Sequence, residues 1–380
     1  MRIAIAYDCL FPWSKGGGER QYRRFAEEFA AAGHDVTYLT RRFWPEAEPP
    51  IIDGIRIVAV NADQELYDVN GTRRPGPALR YARGLFTHLL RHRTAYDAVL
   101  VSALPTTNVL ATRAALAGSN VIIAADWLEV WEPAQWREYA GPVTGRIATA
   151  LQHLAARLSP IATCHSQLSA NRLKTAGLRT APLISPGLID VADTPPPNFT
   201  APPRAIYIGR HIPDKRVETL PAAIAAARTH LPALTATIYG DGPTKALVQA
   251  EINRLGLTAV IDLPGFVSQP ELDAAIRNAA CVVNPSAREG YGLVVVEACA
   301  AATPVVLVAG NGNASTELIE EGINGQIAAS TTPETLGNAI AEVISAGTLL
   351  RKSTYAWFTE ASQTKTLTAT AQAILALLAE

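Results

Sequence analysis

Two carboxylates, Glu289 and Glu297, carry the most informative chemistry of this 380-residue chain. They flank the turn Gly290-Tyr291-Gly292, and an apolar, helix-like run begins at Leu293. An ionised carboxylate accepts hydrogen bonds from two neighbouring hydroxyl groups, such as those of a sugar or a ribose. Backbone amides at the start of a helix bind phosphate groups. The stretch therefore predicts a ligand that carries both hydroxyls and phosphate.

Two cations follow another strand-like run earlier in the chain. Arg210 and Lys215 lie in the segment Gly209–Lys215, which leads into a helical pattern. Two cations beside a helix start suit a diphosphate. A further turn contains Gly240 and Asp241, and its glycines would let the backbone lie against a base or a ribose. A purely structural turn explains that last sequence equally well.

The glycines Gly17 and Gly18 lie between the first predicted strand and the first predicted helix. Glycine lets a backbone approach a ligand closely, and the helix start favours an anion. A flexible turn without a ligand is the alternative explanation.

Polar and aromatic residues end two other predicted strands. Asp126 can accept a hydrogen bond from a sugar hydroxyl or assist an acceptor, but a structural acid is the alternative. Trp127 and Trp131 can stack on a sugar ring, or they can pack into their own domain. His165 is either an acceptor contact or a polar residue at a strand end.

The elements that must position these residues alternate between strands and helices. Short apolar runs and helical patterns alternate over residues 1–192, stop in a proline-dense linker at 193–203, and resume over 204–354. This alternation predicts an α/β protein with two doubly wound, Rossmann-like domains that face each other across a cleft. The segment 355–380 is a long helical pattern, which we expect to pack back onto the N-terminal domain.

Composition excludes several classes of function. The formal net charge of −1 gives no reason to expect nucleic acid as a partner. No run approaches the ~18 apolar residues that a membrane-spanning helix needs. The four cysteines share no metal-ligand spacing, so we predict no metal site and a reducing, cytoplasmic location. The helix predicted at Val143–Leu158 has arginines beside an apolar face, which is compatible with peripheral contact at the inner membrane face.

The order of these motifs resembles that of the family-4-type retaining glycosyltransferases. Those enzymes move a sugar from a nucleotide diphosphate on a scaffold of two Rossmann-like domains, known as GT-B. The resemblance covers nearly the whole chain and is most specific at residues 285–306, PSAREGYGLVVVEACAAATPVV. It implies an N-terminal acceptor domain and a C-terminal domain that binds the nucleotide sugar.

The resemblance also implies roles for individual residues. Arg210 and Lys215 would hold the donor diphosphate, Glu289 the donor sugar, and Glu297 the ribose hydroxyls. The Gly17–Gly18 turn would lie close to the donor phosphate and the acceptor. No divalent metal or other cofactor is expected. Many family members carry a histidine near the position of Asp126, and this chain does not.

The sequence therefore predicts a retaining, metal-independent glycosyltransferase that moves a hexose-type sugar to a hydroxyl of a glycan, a lipid or a natural product. A sugar-nucleotide epimerase on the same scaffold remains an alternative, because it also binds the diphosphate. A sugar phosphorylase is disfavoured, because no lysine motif for its cofactor is evident. A protein that binds nucleotide sugars without turnover is the non-enzymatic alternative.

Overall fold

The computed structural model describes residues 1–14, 16–45, 48, 50–62, 64–66, 68, 73–190 and 196–379. These form two compact units, one from residues 1–188 together with 365–379, and one from residues 189–364. Lys15, which lies just before the predicted turn at Gly17 and Gly18, is outside the described residues. Residues 193–195 of the predicted linker are outside them as well.

The first unit alternates strands and helices along the chain. In chain order these are β1 (Arg2–Ala6), α1 (Gly17–Ala31), β2 (Asp35–Arg42), β3 (Ile55–Ala62), α2 (Pro75–Arg91), β4 (Ala98–Ser102), α3 (Thr107–Ala115), β5 (Ile122–Trp127), α4 (Pro133–Ala140), α5 (Pro142–Arg157), β6 (Ile161–Cys164), α6 (Gln167–Ala176) and β7 (Leu183–Ile184).

These strands form one parallel sheet in the order β3-β2-β1-β4-β5-β6-β7. The chain starts at β1 in the middle of the sheet, proceeds to one edge, and returns to β4 on the other side of β1. Residues 3–6 of β1 are fully buried, because helices cover both faces of a parallel sheet. Helix α1 buries Tyr22, Phe25 and Phe29 on one face, as their helical spacing predicts.

The second unit repeats this plan. Its elements are β8 (Arg204–Ile208), α7 (Leu220–Ala227), β9 (Thr235–Tyr239), α8 (Lys245–Arg254), β10 (Ile261–Gly265), α9 (Gln269–Arg277), β11 (Cys281–Asn284), β12 (Arg288–Glu289), α10 (Leu293–Ala300), β13 (Val305–Val308), β14 (Gly312–Asn313), β15 (Gly325–Ala328) and α11 (Pro333–Thr364). Short 3-10 turns lie at Pro213–Lys215, Val217–Thr219 and Ala314–Leu318.

The second sheet is also parallel, in the order β10-β9-β8-β11-β13-β15. Two apolar clusters cover its faces. One contains Tyr207, Leu220 and Ile224, and the other contains Val282, Val295 and Leu307. The prediction of two doubly wound α/β domains is confirmed. The sequence did not predict the two-residue strands β12 and β14, which pair with each other beside the main sheet.

The C-terminal helical segment is divided between the units. Helix α11 is interrupted at Gly347, where φ is 56°, and it continues to Thr364 within the second unit. The last helix, α12 (Leu367–Ala379), belongs to the first unit. There the Thr368 hydroxyl donates to the Glu28 carboxylate of α1 at 3.0 Å, and Thr370 hydrogen-bonds to Gly187. Among the described residues, none of the helices has the length and apolar composition that a bilayer crossing requires.

Candidate functional site

The candidate site lies where the strand order of the second sheet reverses. Strands β8 and β11 are neighbours in the sheet, but the chain leaves β8 toward β9 and leaves β11 toward β13. The loops after β8 and β11 therefore diverge at this point. Doubly wound sheets bind ligands in the crevice that such a reversal opens at the carboxyl ends of the strands.

Three consecutive residues after β8 contact the loop after β11. Asp214 forms an ion pair with Arg288, and its carbonyl accepts a hydrogen bond from the amide of Ala287 at 2.8 Å. Lys215 Nζ lies 2.6 Å from Glu289 Oε1. Arg216 Nε donates to the carbonyl of Pro285 at 2.8 Å. We call these contacts between residues 214–216 and 285–289 the loop clasp.

The Lys215–Glu289 pair is the chemical centre of the loop clasp. The side chains are 19% and 15% exposed, so both are shielded from bulk water yet reachable. Asn284, the last residue of β11, donates to the same Oε1 at 3.0 Å. Burial alone would raise the pKa of Glu289, but the charge of Lys215 and these hydrogen bonds outweigh it and lower the pKa. The Glu289 carboxylate is therefore ionised.

Arg210 supplies a second cation in the same loop, five residues before Lys215. Its side chain is exposed, and the Tyr207 hydroxyl fixes its backbone by donating to its carbonyl at 3.1 Å. Burial raises the pKa of Tyr207, the Glu289 carboxylate raises it further, and the Arg210 charge lowers it. Both charges thus act on the same phenol. The structure brings Lys215 and Glu289 into direct contact, and the predicted role of Arg210 beside them stays a prediction.

The predicted turn at Gly240 and Asp241, called the glycine turn below, lies directly against the loop after β8. Gly240 has φ of 112°, and a Cβ there would lie 1.9 Å from the carbonyl oxygen of Gly209. The amide of His211 donates to the carbonyl of Asp241 at 2.8 Å. Only glycine fits such a contact in this backbone conformation. The Asp241 side chain contacts the first residue of the following helix, because Lys245 Nζ lies 2.9 Å from its carboxylate.

Helix α10 starts immediately after the loop that carries Glu289. Gly292 precedes it with φ of 102°, and a Cβ at Gly292 would lie 2.4 Å from the Cβ of Ser315. Leu293 is the first helical residue, so the amides of Leu293 and Val294 have no acceptor within the helix, whereas the Val295 amide donates to the Gly292 carbonyl at 2.9 Å. Glu297 is half-buried on this helix, four residues after Leu293. The loop residues Gly290 and Tyr291 are also half-buried.

The predicted role of Asp126 requires correction. Asp126 is fully buried within β5 of the first unit. Its carboxylate accepts hydrogen bonds from Tyr22 at 2.7 Å and from Thr163, and it pairs with His165 at 3.1 Å. Burial would raise its pKa, but the charge of His165 and these hydrogen bonds lower it. Asp126 is thus the centre of an internal network and has no exposed atom to offer a sugar.

His165 belongs to the same network and is 4% exposed. Its Nε2 lies 2.7 Å from Gln21 Nε2, and its Nδ1 lies 2.9 Å from the hydroxyl of Ser185. The predicted acceptor contact is therefore corrected as well, because both ring nitrogens are engaged inside the unit.

The two predicted stacking residues differ in their surroundings. Trp127 is 1% exposed in the core of the first unit, so it has no face for a sugar ring, and that prediction is corrected. Trp131 is half-buried in an aromatic cluster, 4.6 Å from the ring of Trp136 and 5.0 Å from that of Tyr139. Its predicted contact with an acceptor stays a prediction.

Gly17 and Gly18 lie in the first turn of α1 rather than in a loop before it. A Cβ at Gly18 would lie 2.9 Å from the Tyr7 hydroxyl, so this glycine permits a close approach of Tyr7. Their predicted closeness to a donor phosphate stays a prediction.

Three functional candidates in the second unit were not predicted from the sequence. Asn284 holds the Glu289 carboxylate, and Asp214 and Arg288 form the ion pair next to Lys215 and Glu289. The sequence contained a signal for this ion pair, since Asp214 directly precedes Lys215 and Arg288 directly precedes Glu289. Opposite charges one residue before each member of the Lys215–Glu289 pair predict a second, parallel ion pair. Within the described ranges, no group of three or more His, Cys, Asp or Glu side chains has the arrangement of a metal site.

Two family models match the chain, one on each unit. The model "Glycosyl transferase 4-like domain" matches residues 16–186. The model "Glycosyl transferases group 1" matches residues 193–357, which include the loop clasp, the glycine turn and α10.

Three known proteins are similar to this chain in sequence or in structure. Glycogen synthase of Mycobacterium tuberculosis is 27% identical over 365 residues, covering 90% of this chain and 85% of the synthase. Sucrose-phosphate synthase of Thermosynechococcus elongatus has a similar structure, with a TM-score of 0.80 and 16% identity over 99% of this chain and 98% of that one. Anabaena HepE in complex with UDP and glucose gives a TM-score of 0.74 and 20% identity over the whole of both chains. At such low identity, the two structures show a shared fold.

Proposed function

Since the chain belongs to the group 1 and 4-like glycosyltransferases with the GT-B fold, we propose that it moves a hexose-type sugar from a nucleotide diphosphate to an acceptor hydroxyl with retention of configuration. One observation supports this most directly. The ionised Glu289 is paired with Lys215 beside Arg210 and the start of α10. This arrangement offers two cations and helix amides to a diphosphate, and a carboxylate to the hydroxyls of a sugar.

The cations act on the leaving group. As the bond between the sugar and the diphosphate breaks, negative charge accumulates on the diphosphate oxygens. Arg210, Lys215 and the amides at the start of α10 stabilise that charge at fixed positions, so little reorganisation is needed during the reaction. These groups can neutralise a leaving diphosphate by themselves, and we therefore propose that the transfer proceeds without a divalent metal.

Glu289 orients the sugar. The hydrogen bonds from Lys215 and Asn284 both reach Oε1, so Oε2 keeps lone pairs for a sugar hydroxyl. A carboxylate held in this way is a weak nucleophile, since Lys215 stabilises its negative charge. In the proposed step the acceptor oxygen attacks C1 from the face that the diphosphate leaves, and the acceptor proton passes to the leaving phosphate oxygen.

The resemblance to the family supports assignments for the remaining donor contacts. We assign Glu297 to the ribose hydroxyls and the backbone of residues 290–293 to the phosphates. The Gly240–Asp241 turn suits the base or the ribose, because its backbone is closely packed against the loop after β8. We assign acceptor binding to the first unit, with Trp131 as the residue to test, and the acceptor is a glycan, a lipid or a natural product.

Transfer assays with single variants test the function. We expect Lys215→Met and Glu289→Gln to abolish transfer while the protein stays folded, and Lys352→Met, an exposed lysine on α11, to leave it unchanged. Added EDTA should have no effect. Near-normal transfer by either site variant would contradict the assignment. A changed sugar released without any acceptor would favour an epimerase instead.

Binding of the donor can be measured separately from turnover. Thermal melting with UDP, GDP, ADP and TDP should identify the base, because a ligand at 100 times its dissociation constant adds about 2.7 kcal/mol of apparent stability. Stabilisation by one nucleotide with no transfer to any acceptor would favour the non-enzymatic alternative. No shift with any of them would contradict nucleotide binding altogether.

A further inference from the structure

Helix α5 in the first unit carries an exposed apolar stripe. Val143, Ile147, Leu154 and Leu158, which directly follows the helix, are 67%, 56%, 44% and 38% exposed. At about 100° per residue these four positions fall on one narrow strip of the helix surface. Scattered single apolar residues are normal on protein surfaces, whereas an aligned set indicates an interaction face.

The opposite face of α5 is firmly attached to its unit. Gly145 lets α4 approach so closely that a Cβ would lie 2.6 Å from the Cα of Arg137. Gln152 accepts hydrogen bonds from the Trp131 amide at 3.1 Å and the Trp136 indole at 3.0 Å, and it donates to the Trp131 carbonyl at 2.7 Å. The orientation of α5 is therefore fixed, and its apolar stripe points away from the interior of the unit.

The charge around this stripe is mostly positive. Residues 133–180 contain six arginines and lysines and one acid, Glu138, although the whole chain has a net charge of −1. Helix α5 contains no acidic residue, and its two exposed arginines, Arg146 and Arg157, lie beside the stripe. Neither of them forms an ion pair within the described residues. The face is thus apolar and cationic together.

We propose that α5 docks on an anionic lipid bilayer, lying in the plane of the interface with its apolar stripe among the acyl chains and its arginines at the headgroups. Helices of this kind bind through apolar burial plus attraction to anionic lipid. A second copy of the chain is a poorer partner. A two-fold contact through α5 would place the arginines of both copies along one seam. The proposal goes beyond the proposed function, since it requires neither donor nor acceptor.

Vesicle sedimentation with the full chain tests the docking. One set of vesicles is phosphatidylcholine alone, and the other is an equal mixture with phosphatidylglycerol. We expect tighter binding to the mixed vesicles. Arg146→Gln with Arg157→Gln should weaken that binding about thirtyfold, since each arginine near an anionic surface contributes about a factor of five.

The apolar stripe has its own test. Ile147→Ser with Leu154→Ser should weaken binding to mixed vesicles at least about a hundredfold, because each apolar side chain contributes a factor of ten or more when buried. Leu247→Ser on α8, where the leucine is 58% exposed, is the matched control and should change nothing. All variants should keep the wild-type melting temperature and transfer to a soluble acceptor.

Three outcomes would overturn the proposal. The wild type could fail to bind the mixed vesicles, or Leu247→Ser could weaken binding as much as the stripe variant does. The third is a dimer in solution that the stripe variant dissociates, which would identify a second copy as the partner. Because transfer to a soluble acceptor is measured separately, a failure here is distinct from a failure of the proposed function.

Discussion

The Asp214–Arg288 ion pair should determine how well the neighbouring Lys215–Glu289 pair is positioned. The two pairs are parallel contacts of the loop clasp, and each joins the loop after β8 to the loop after β11. Neither Asp214 nor Arg288 has a proposed contact with substrate, so their effect on transfer would pass through Lys215 and Glu289. The perturbation is Asp214→Asn, Arg288→Met and the double variant.

The burial of the pair sets the expected magnitude. Arg288 is 8% exposed and Asp214 is 25% exposed. Breaking a fully buried pair costs about 3–5 kcal/mol and an exposed one about 0–1 kcal/mol. Because Asp214 is a quarter exposed, we expect each single variant to lower the free energy of unfolding by ~2 kcal/mol. If mispositioning of Lys215 and Glu289 raises the free energy of the transition state by the same amount, kcat/KM falls about thirtyfold.

The assay is a double-mutant cycle on transfer. We expect the double variant to be no slower than the slower single variant, because the second substitution removes an interaction that is already lost. The donor KM should change less than kcat, since the phosphate-binding cations remain. Glu251 and Arg254 form a matched control on α8, at 2.6 Å, in which the Arg254 side chain is 65% exposed and the Glu251 side chain is 24% exposed. Their cycle should show no coupling and no loss of transfer.

Two results would refute this reasoning. Additive effects of the two substitutions would show that Asp214 and Arg288 act independently. Wild-type kcat in a folded Arg288→Met variant would show that the Lys215–Glu289 pair keeps its position without the second contact.

Three further predictions concern single residues. Glu289 has a lowered pKa, so its contribution to stability is full above its ordinary value of 4.5 and is lost as the pH falls through the folded value. Glu289→Gln should therefore flatten the acid limb of melting temperature against pH, and an unchanged limb would contradict the pairing. Asp126→Asn should cost about 3 kcal/mol of stability but leave transfer by the folded fraction intact. Loss of transfer at an unchanged melting temperature would instead restore its catalytic role. Gly240→Ala should cost over about 2 kcal/mol in urea unfolding, against about 1 for Gly256→Ala, which has positive φ but open space. Equal costs would exclude the contact with Gly209.

Much of the fold could be predicted because parallel strands leave a strong pattern. Strands β4, β11 and β13 are short apolar runs between turn residues, and the ranges that this pattern predicts, 98–102, 281–284 and 305–308, are the ranges observed. Helix α6 was missed because its apolar residues are interrupted by polar ones. The two-residue strands β12 and β14 are too short for any periodicity to indicate them.

The candidate site was predictable where charge and glycine occur together. Arg210, Lys215 and Glu289 each follow a strand of the second sheet, and Lys215 and Glu289 are in contact at the reversal of strand order. Asn284 could not be identified, because a single polar residue at a strand end has many structural explanations. Its role emerges only from its 3.0 Å contact with Glu289.

The contrast between Asp126 and Glu289 shows why an acid near a strand end is ambiguous in sequence. Asp126 lies within the ladder, where its backbone aligns with Ser102 on one side and Thr163 on the other. Its side chain is therefore enclosed by neighbouring strands and by the helix that carries Tyr22. Glu289 lies five residues beyond the end of β11, where the loop has left the main sheet.

A distance of a few residues along the chain thus separates an internal acid from a ligand-facing one. In a doubly wound parallel sheet a side chain becomes available to a ligand only after the ladder has ended, because helices cover both faces of the sheet before that point. The 0% exposure of Asp126 and the 15% exposure of the Glu289 side chain follow from this difference. The exact end of a strand decides the function of the acid, and strand ends are what a sequence pattern locates least well.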